Sequence, residues 1–317
     1  MMAQAHTPPG TRSRARDGIV ARTIPREGGA PALELLEAVP DGEARGAPLL
    51  FVHGAFGGAW MWREIFMPVF AAAGRRVVAF SIRGHGASEG WDRLRETSLA
   101  EYVEDLRRAL RVLPEPPVVI AHSLGGLLSQ MLIGREEMRA LVLCASLPPE
   151  GMIFTTPRLA MTDPTLFAEA FLGSVAKTQG PIAMAGSQVL FSDGLPPDEI
   201  ARHARRMQPE SPRALLDAHA SPPVLSAAAF RIPTLVVGGE RDRLVWRAST
   251  VRTALYHGGE HRTPTAWDTS CNSTSVRRSS RATFSPGSTG RASEGASRRP
   301  LAAVPRLGQE RRRGERP

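Results

Sequence analysis

Val119-Ile-Ala-His-Ser123-Leu-Gly-Gly126 is the stretch on which the fold turns. An apolar run, Pro117–Ala121, ends in a serine, and a helical pattern, Leu124–Ile133, begins at once. No residues are left over for a loop. The chain must therefore reverse in a sharp strand–turn–helix corner that lifts the Ser123 hydroxyl clear of the strand ends. Backbones crowd at such a corner, so the residues two before and two after the serine must be small, and Ala121 and Gly125 stand there.

Outward from this corner, short continuous apolar runs alternate with helical patterns. Ala32–Val39, Pro48–His53, Arg76–Ser81, Ala140–Ala145 and Pro233–Gly238 read as strands. Runs apolar at every position suit strands buried on both faces of a parallel sheet. Trp60–Ala73, Ser98–Leu113 and Ala248–Tyr256 read as helices. Ser98 with Glu101 three residues on has the spacing of a capping box. The alternation predicts an α/β fold with a doubly wound, mostly parallel sheet. Residues 147–232 break the rhythm with a proline-punctuated helical flavour and read as an inserted helical cap. The expected organisation is a disordered leader (1–18), a first core part (19–146), the cap (147–232), a second core part (233–262) and a disordered basic tail (263–317).

Composition bounds the function classes. Of a net charge of +9, the 263–317 tail carries +7, from eleven arginines against four carboxylates. The remainder has no basic stripe that would track a phosphate backbone, so no nucleic-acid partner is expected. No apolar run approaches the length of a membrane span. Two cysteines and no CxxC or HExxH spacing imply neither a disulfide framework nor a metal site. No organic cofactor is implied, a cytoplasmic location is the default, and oligomeric state is not legible.

Four ordered motifs carry a resemblance: His53-Gly54-Ala55-Phe56, Arg83-Gly-His-Gly-Ala-Ser88, Ala121-His-Ser-Leu-Gly125 and Gly238-Gly-Glu-Arg-Asp242. Over roughly residues 47–262 the chain resembles the α/β-hydrolase superfamily, in its cap-bearing esterase and lysophospholipase-like branch. The resemblance implies Ser123 as nucleophile and Asp242 as the acid of a catalytic triad, with Glu240 as the rival. It implies an oxyanion hole from the Leu124 amide and one from the loop after His53-Gly54, Ala55 being the first choice and Phe56 the second. His53, His85 and His122 are expected to orient loops. The implied substrate is a small acyl compound, a carboxylic ester. Met152, Phe154, Met161, Phe167, Phe171, Met184 and Phe191 suit an apolar substrate group or, equally, a cap core. The alternatives are a non-catalytic binding protein and another chemistry of the fold, such as C–C hydrolysis or haloperoxidase-like reaction.

The family order is serine, acid, histidine. After Asp242 only His257 and His261 remain. His261, at the start of a last strand, is the available candidate, but the Gly-x-Gly-His loop and closing helix that the resemblance leads one to expect are replaced by a Ser/Arg/Gly/Pro tail. A second reading frame would account for this, the alternative being a genuinely divergent tail. Joining the last base of each codon to the first two of the next, Trp267 and Asp268 must give glycine, and Asp268 and Thr269 give histidine or tyrosine. Free codon choice from Pro264 to Thr289 then allows a Gly-x-Gly-His loop and an amphipathic helix. The 39 arginines and one lysine suit a GC-rich gene. The expectation is a frameshift near Thr263 or Pro264, and a chain with impaired catalysis.

Overall fold

The computed structural model describes residues 13–14, 18–165, 167–168, 196–220 and 223–264. Nine strands form one sheet: β1 (Ser13–Arg14), β2 (Ile19–Ile24), β3 (Leu33–Ala38), β4 (Leu49–Val52), β5 (Val77–Phe80), β6 (Val118–His122), β7 (Ala140–Cys144), β8 (Thr234–Val237) and β9 (Glu260–Arg262). Their order is β1-β2-β3-β5-β4-β6-β7-β8-β9. From β5 to β9 all pairs are parallel, while β1, β2 and β3 add antiparallel. The strand alternation read from the sequence is thus the sheet that forms. β4 and β5 are buried at every position, as strands covered on both faces should be.

The helices are α1 (Trp60–Arg63), α2 (Phe66–Ala72), α3 (Leu99–Arg111), α4 (Ser123–Met131), α5 (Thr155–Thr162), α6 (Pro197–Ala204), α7 (Pro212–Asp217) and α8 (Arg247–His257). Two apolar layers sandwich the sheet. On one face Val119, Ala121, Leu141, Leu143 and Val236 pack with α3, α4 and α8. On the other, Phe51, Ile120 and Cys144 pack with Trp62, Phe66 and Met67 of α1 and α2. The Phe51 and Trp62 rings lie 4.9 Å apart.

One expectation needs correction. The helix read over Trp60–Ala73 is two helices, α1 and α2, broken at Glu64–Ile65. The cause is Pro68, whose ring would strike the Glu64 carbonyl in a continuous helix, but which is tolerated in the first turn of a new one. Within the expected leader, Ser13 and Arg14 pair with Ala21 and Val20. Residues 1–12 and 15–17 lie outside the described residues, as do 265–317 and the cap positions Phe171, Met184 and Phe191.

The capping box on α3 forms as spaced. Glu101 N–H donates to Ser98 Oγ at 3.3 Å, and Ser98 N–H donates to Glu101 Oε2 at 2.8 Å. Ser98→Ala should cost about 1 kcal/mol, read as a lowered denaturant midpoint with unchanged slope.

The residues between β7 and β8 form the insertion, with α5, α6 and α7 among its described elements. α5 is tied to the loop after β8 by the Arg243–Asp163 ion pair and by Arg158, whose guanidinium lies 4.3 Å above the Trp246 ring. No helix among the described residues is long and apolar enough to cross a membrane.

Candidate active site

Ser123 stands at the corner between β6 and α4 with φ 50°, a left-handed conformation unusual for a serine. The strain is held by close packing. A Cβ on Gly125 would come within 2.3 Å of His53 O, and one on Gly54 within 2.8 Å of Ser123 Cβ. The loop after β4 therefore lies directly against the corner, and only glycine allows that approach. Ala121 is buried, while Ser123 itself stays half-exposed. The amides that open α4, Leu124 among them, lack intrahelical partners, and the helix dipole favours negative charge there.

Ala55 and Phe56 follow Gly54 on the same loop. Phe56 has φ 64°, and its N–H donates to Glu210 Oε2 at 3.3 Å. That bond engages the Phe56 amide with the Glu210 side chain. His53 is fully buried beneath the loop; its Nδ1–H donates to Gly54 O and its Nε2 accepts from Ile82 N–H. Burial, with His85 nearby, pushes its pKa down to about 3, so it stays neutral and serves as a brace.

Asp242 lies past the end of β8 and is 5% exposed, whereas the rival Glu240 is exposed. Its Oδ1 accepts the N–H groups of Leu244 and Val245 at 2.9 and 2.7 Å, a turn that fixes the carboxylate. Ser123 follows β6 and Asp242 follows β8, both at the C-terminal edge of the sheet with β7 between them. Two interstrand spacings amount to about 10 Å, room for one imidazole to bridge the pair.

His261 does not come to that gap. It sits on β9 opposite Val236, three strands from β6 and so roughly 14 Å away. Its Nε2 is hydrogen-bonded to Thr250 Oγ1 of α8 at 2.9 Å. The reason is strand parity: His261 shares the face of Val236, which α8 covers. His257 is also engaged. Ala227 N–H donates to its Nδ1 at 3.1 Å, and its Nε2–H donates to Gln130 Oε1 at 3.0 Å. Gln130 in turn donates to Leu147 O and Ser146 Oγ. This buried chain ties α8 to α4 and to the start of the insertion. No residue of it was legible as functional, because nothing local marks a glutamine–histidine contact 127 residues apart.

Burial lowers the His257 pKa to about 4. An unfolded histidine titrates near 6.5, so as pH falls below that value the unfolded chain gains protons that folded His257 and His53 refuse. Stability contributed by their neutral forms is present above pH ~6.5 and is lost on acidification, on the order of 2–3 kcal/mol per histidine at pH ~4.5. Urea midpoints at pH 7.5 and 4.5 should show this drop. His257→Gln, which removes one titrating group, should shrink it.

A family model described as alpha/beta hydrolase fold matches residues 47–252. The chain belongs to the α/β-hydrolase fold family. A monoacylglycerol lipase of Mycolicibacterium smegmatis is 30% identical to this α/β hydrolase over 224 residues, covering 65% of the chain and 73% of that protein. Methylesterase 3 of Arabidopsis thaliana is 36% identical over 91 residues, covering 27% of the chain and 33% of that protein. A solved hydrolase of Pseudomonas aeruginosa PA01 superposes with a TM-score of 0.58 at 20% identity, covering 83% of this α/β hydrolase and 94% of that chain, a likeness of fold. Homologues with esterase and lipase names make hydrolysis the activity class of the family branch.

Proposed function

We propose that this α/β hydrolase cleaves a carboxylic ester of a small alcohol through an acyl-enzyme at Ser123. The observation that carries the reading is the strained Ser123 at the head of α4, with the Gly54–Ala55 loop packed against it. In this reading Ser123 Oγ attacks the ester carbonyl, and the Leu124 and Ala55 amides receive the oxyanion. Asp242 orients the histidine that takes the serine proton and returns it to the leaving alcohol. The 147–232 insertion acts as a cap over the site; among its apolar residues Phe154 and Met161 are exposed rather than packed into a cap core. The monoester named for the lipase relative and the small alkyl ester named for the methylesterase both fit this class.

The positions of the histidines support impaired turnover in the chain as it stands. His53, His85, His219, His257 and His261 each have a partner away from Ser123. The sequence holds no histidine after His261. Loss of the triad histidine leaves only the residual rate that the oxyanion hole and binding supply.

Hydrolysis of monoacylglycerols and p-nitrophenyl esters of increasing acyl length tests the reading. The expected result is slow turnover that vanishes in Ser123→Ala. Tight ester binding with no turnover above the Ser123→Ala background would favour the non-catalytic alternative.

A further inference from the structure

The segment that returns from the insertion to the sheet grips the loop after β4 at both ends of one residue. Gln208 N–H donates to Phe56 O at 3.1 Å, and Phe56 N–H donates to Glu210 Oε2 at 3.3 Å. Gln208 Oε1 also accepts Gly86 N–H at 2.6 Å, which fastens the same segment to the loop after β5. Phe56 occupies a left-handed conformation, φ 64°, that is costly for a side-chain-bearing residue. It keeps that conformation only because its surroundings hold it.

Glu210 is an expensive group to place there. It is 1% exposed, and burial alone would push its carboxyl toward the neutral form. Its partners reverse this. Tyr102 Oη–H donates to Oε1 at 2.6 Å, Ser211 N–H donates to Oε1 at 2.7 Å, and His85 Nε2 lies 3.3 Å from Oε2. These contacts hold the carboxyl below its usual range, and Glu210 in turn helps raise that of His85. A buried, charged carboxylate with one oxygen aimed at a backbone N–H of the oxyanion loop is more than packing requires.

We propose that Glu210 is a positioning residue for acyl transfer, acting through Phe56 on the Ala55 amide. The Phe56 N–H shares its peptide plane with the Ala55 carbonyl. Holding that plane narrows the ψ range of Ala55, one of the two dihedrals that relate it to the neighbouring plane carrying the Ala55 N–H. An oxyanion donor has value only when it is held within about half an ångström of its working place. This proposal rests on the acyl-transfer reading of the site.

The test uses the full chain with Glu210→Gln, Glu210→Ala and Tyr102→Phe. Tyr102→Phe disturbs the same buried cluster without touching the Phe56 bond, and so controls for structural damage. Backbone hydrogen exchange of the peptide spanning His53–Gly58 should quicken about tenfold in both Glu210 variants and stay unchanged in Tyr102→Phe. Phosphonylation of Ser123 by an alkyl fluorophosphonate should lose about tenfold in its maximal rate in Glu210→Gln, with reagent affinity unchanged, and less than about twofold in Tyr102→Phe. Unchanged exchange and rate in Glu210→Gln, or equal losses in Tyr102→Phe, would overturn the proposal. A wild-type chain that never reacts at Ser123 would overturn the acyl-transfer reading and the proposal with it. Reaction that is insensitive to Glu210 would overturn the proposal alone.

Discussion

Replacing the residues after Thr263 with the translation of the second reading frame raises ester turnover by at least about a thousandfold. The expectation follows from what the described residues place and what they leave empty. Ser123 and Asp242 sit at the ends of β6 and β8 with one strand between them. Asp242 is fixed by two backbone N–H groups, as an acid that orients a partner must be. Of the two later histidines, His257 is bonded to Ala227 and Gln130, and His261 is on the face covered by α8 and is bonded to Thr250. With free codon choice, the second frame allows Gly-x-Gly-His a few residues after β9 in the sequence. Removing one triad member costs several orders of magnitude because the members act as a unit, and restoring it should return a similar factor. Initial rates on a p-nitrophenyl ester, with Ser123→Ala in the restored chain as background, read the effect. A restored chain no faster than the present one would contradict it.

The second large effect is on association. The face that packs with α3, α4 and α8 is closed across the sheet: Ala121, Leu143 and Val236, neighbours in register, are all buried. The opposite face is not. There Ile120, Val142, Leu235 and Glu260 form one cross-strand row, and from Val142 onward burial fails. Val118, Val142 and Leu235 pack against the edge of the α1–α2 layer and remain only half-buried. Strand β9 adds a short edge of only three residues. Such a surface invites association. The present chain should therefore bind a hydrophobic dye several-fold more strongly than the restored chain and elute as mixed oligomers. The amphipathic helix of the second frame should suppress both. A clean monomer with a sharp cooperative melt would count against this expectation.

Much of the core was legible because its signals are local. Apolar runs such as Leu49–Val52 and the Ser98 capping box are decided within a few residues. Ser123 was legible because a strand abutting a helix leaves only one kind of turn. The hairpin β2–β3 was missed although it carried a signal. Gly28 and Gly29 both have positive φ between the mutually bonded Glu27 and Ala30, the two-residue turn that glycine pairs favour. Contacts across long sequence separations were not legible. Nothing near Glu210 announces Phe56, His85 and Tyr102 as its partners, since the fold alone brings them together. The choice of Asp242 over Glu240 rests on the motif in the sequence, and in the structure on burial.

The central claim is that Ser123 is the nucleophile of an acyl-transfer site whose histidine is missing from this chain. Peptide mass mapping after reaction with an alkyl fluorophosphonate tests it most directly, applied to the chain as it stands and to the restored chain. The expected result is a single adduct on Ser123 in both, forming at least about a thousandfold faster in the restored chain. An adduct elsewhere, or none on Ser123 in the restored chain, would contradict the claim.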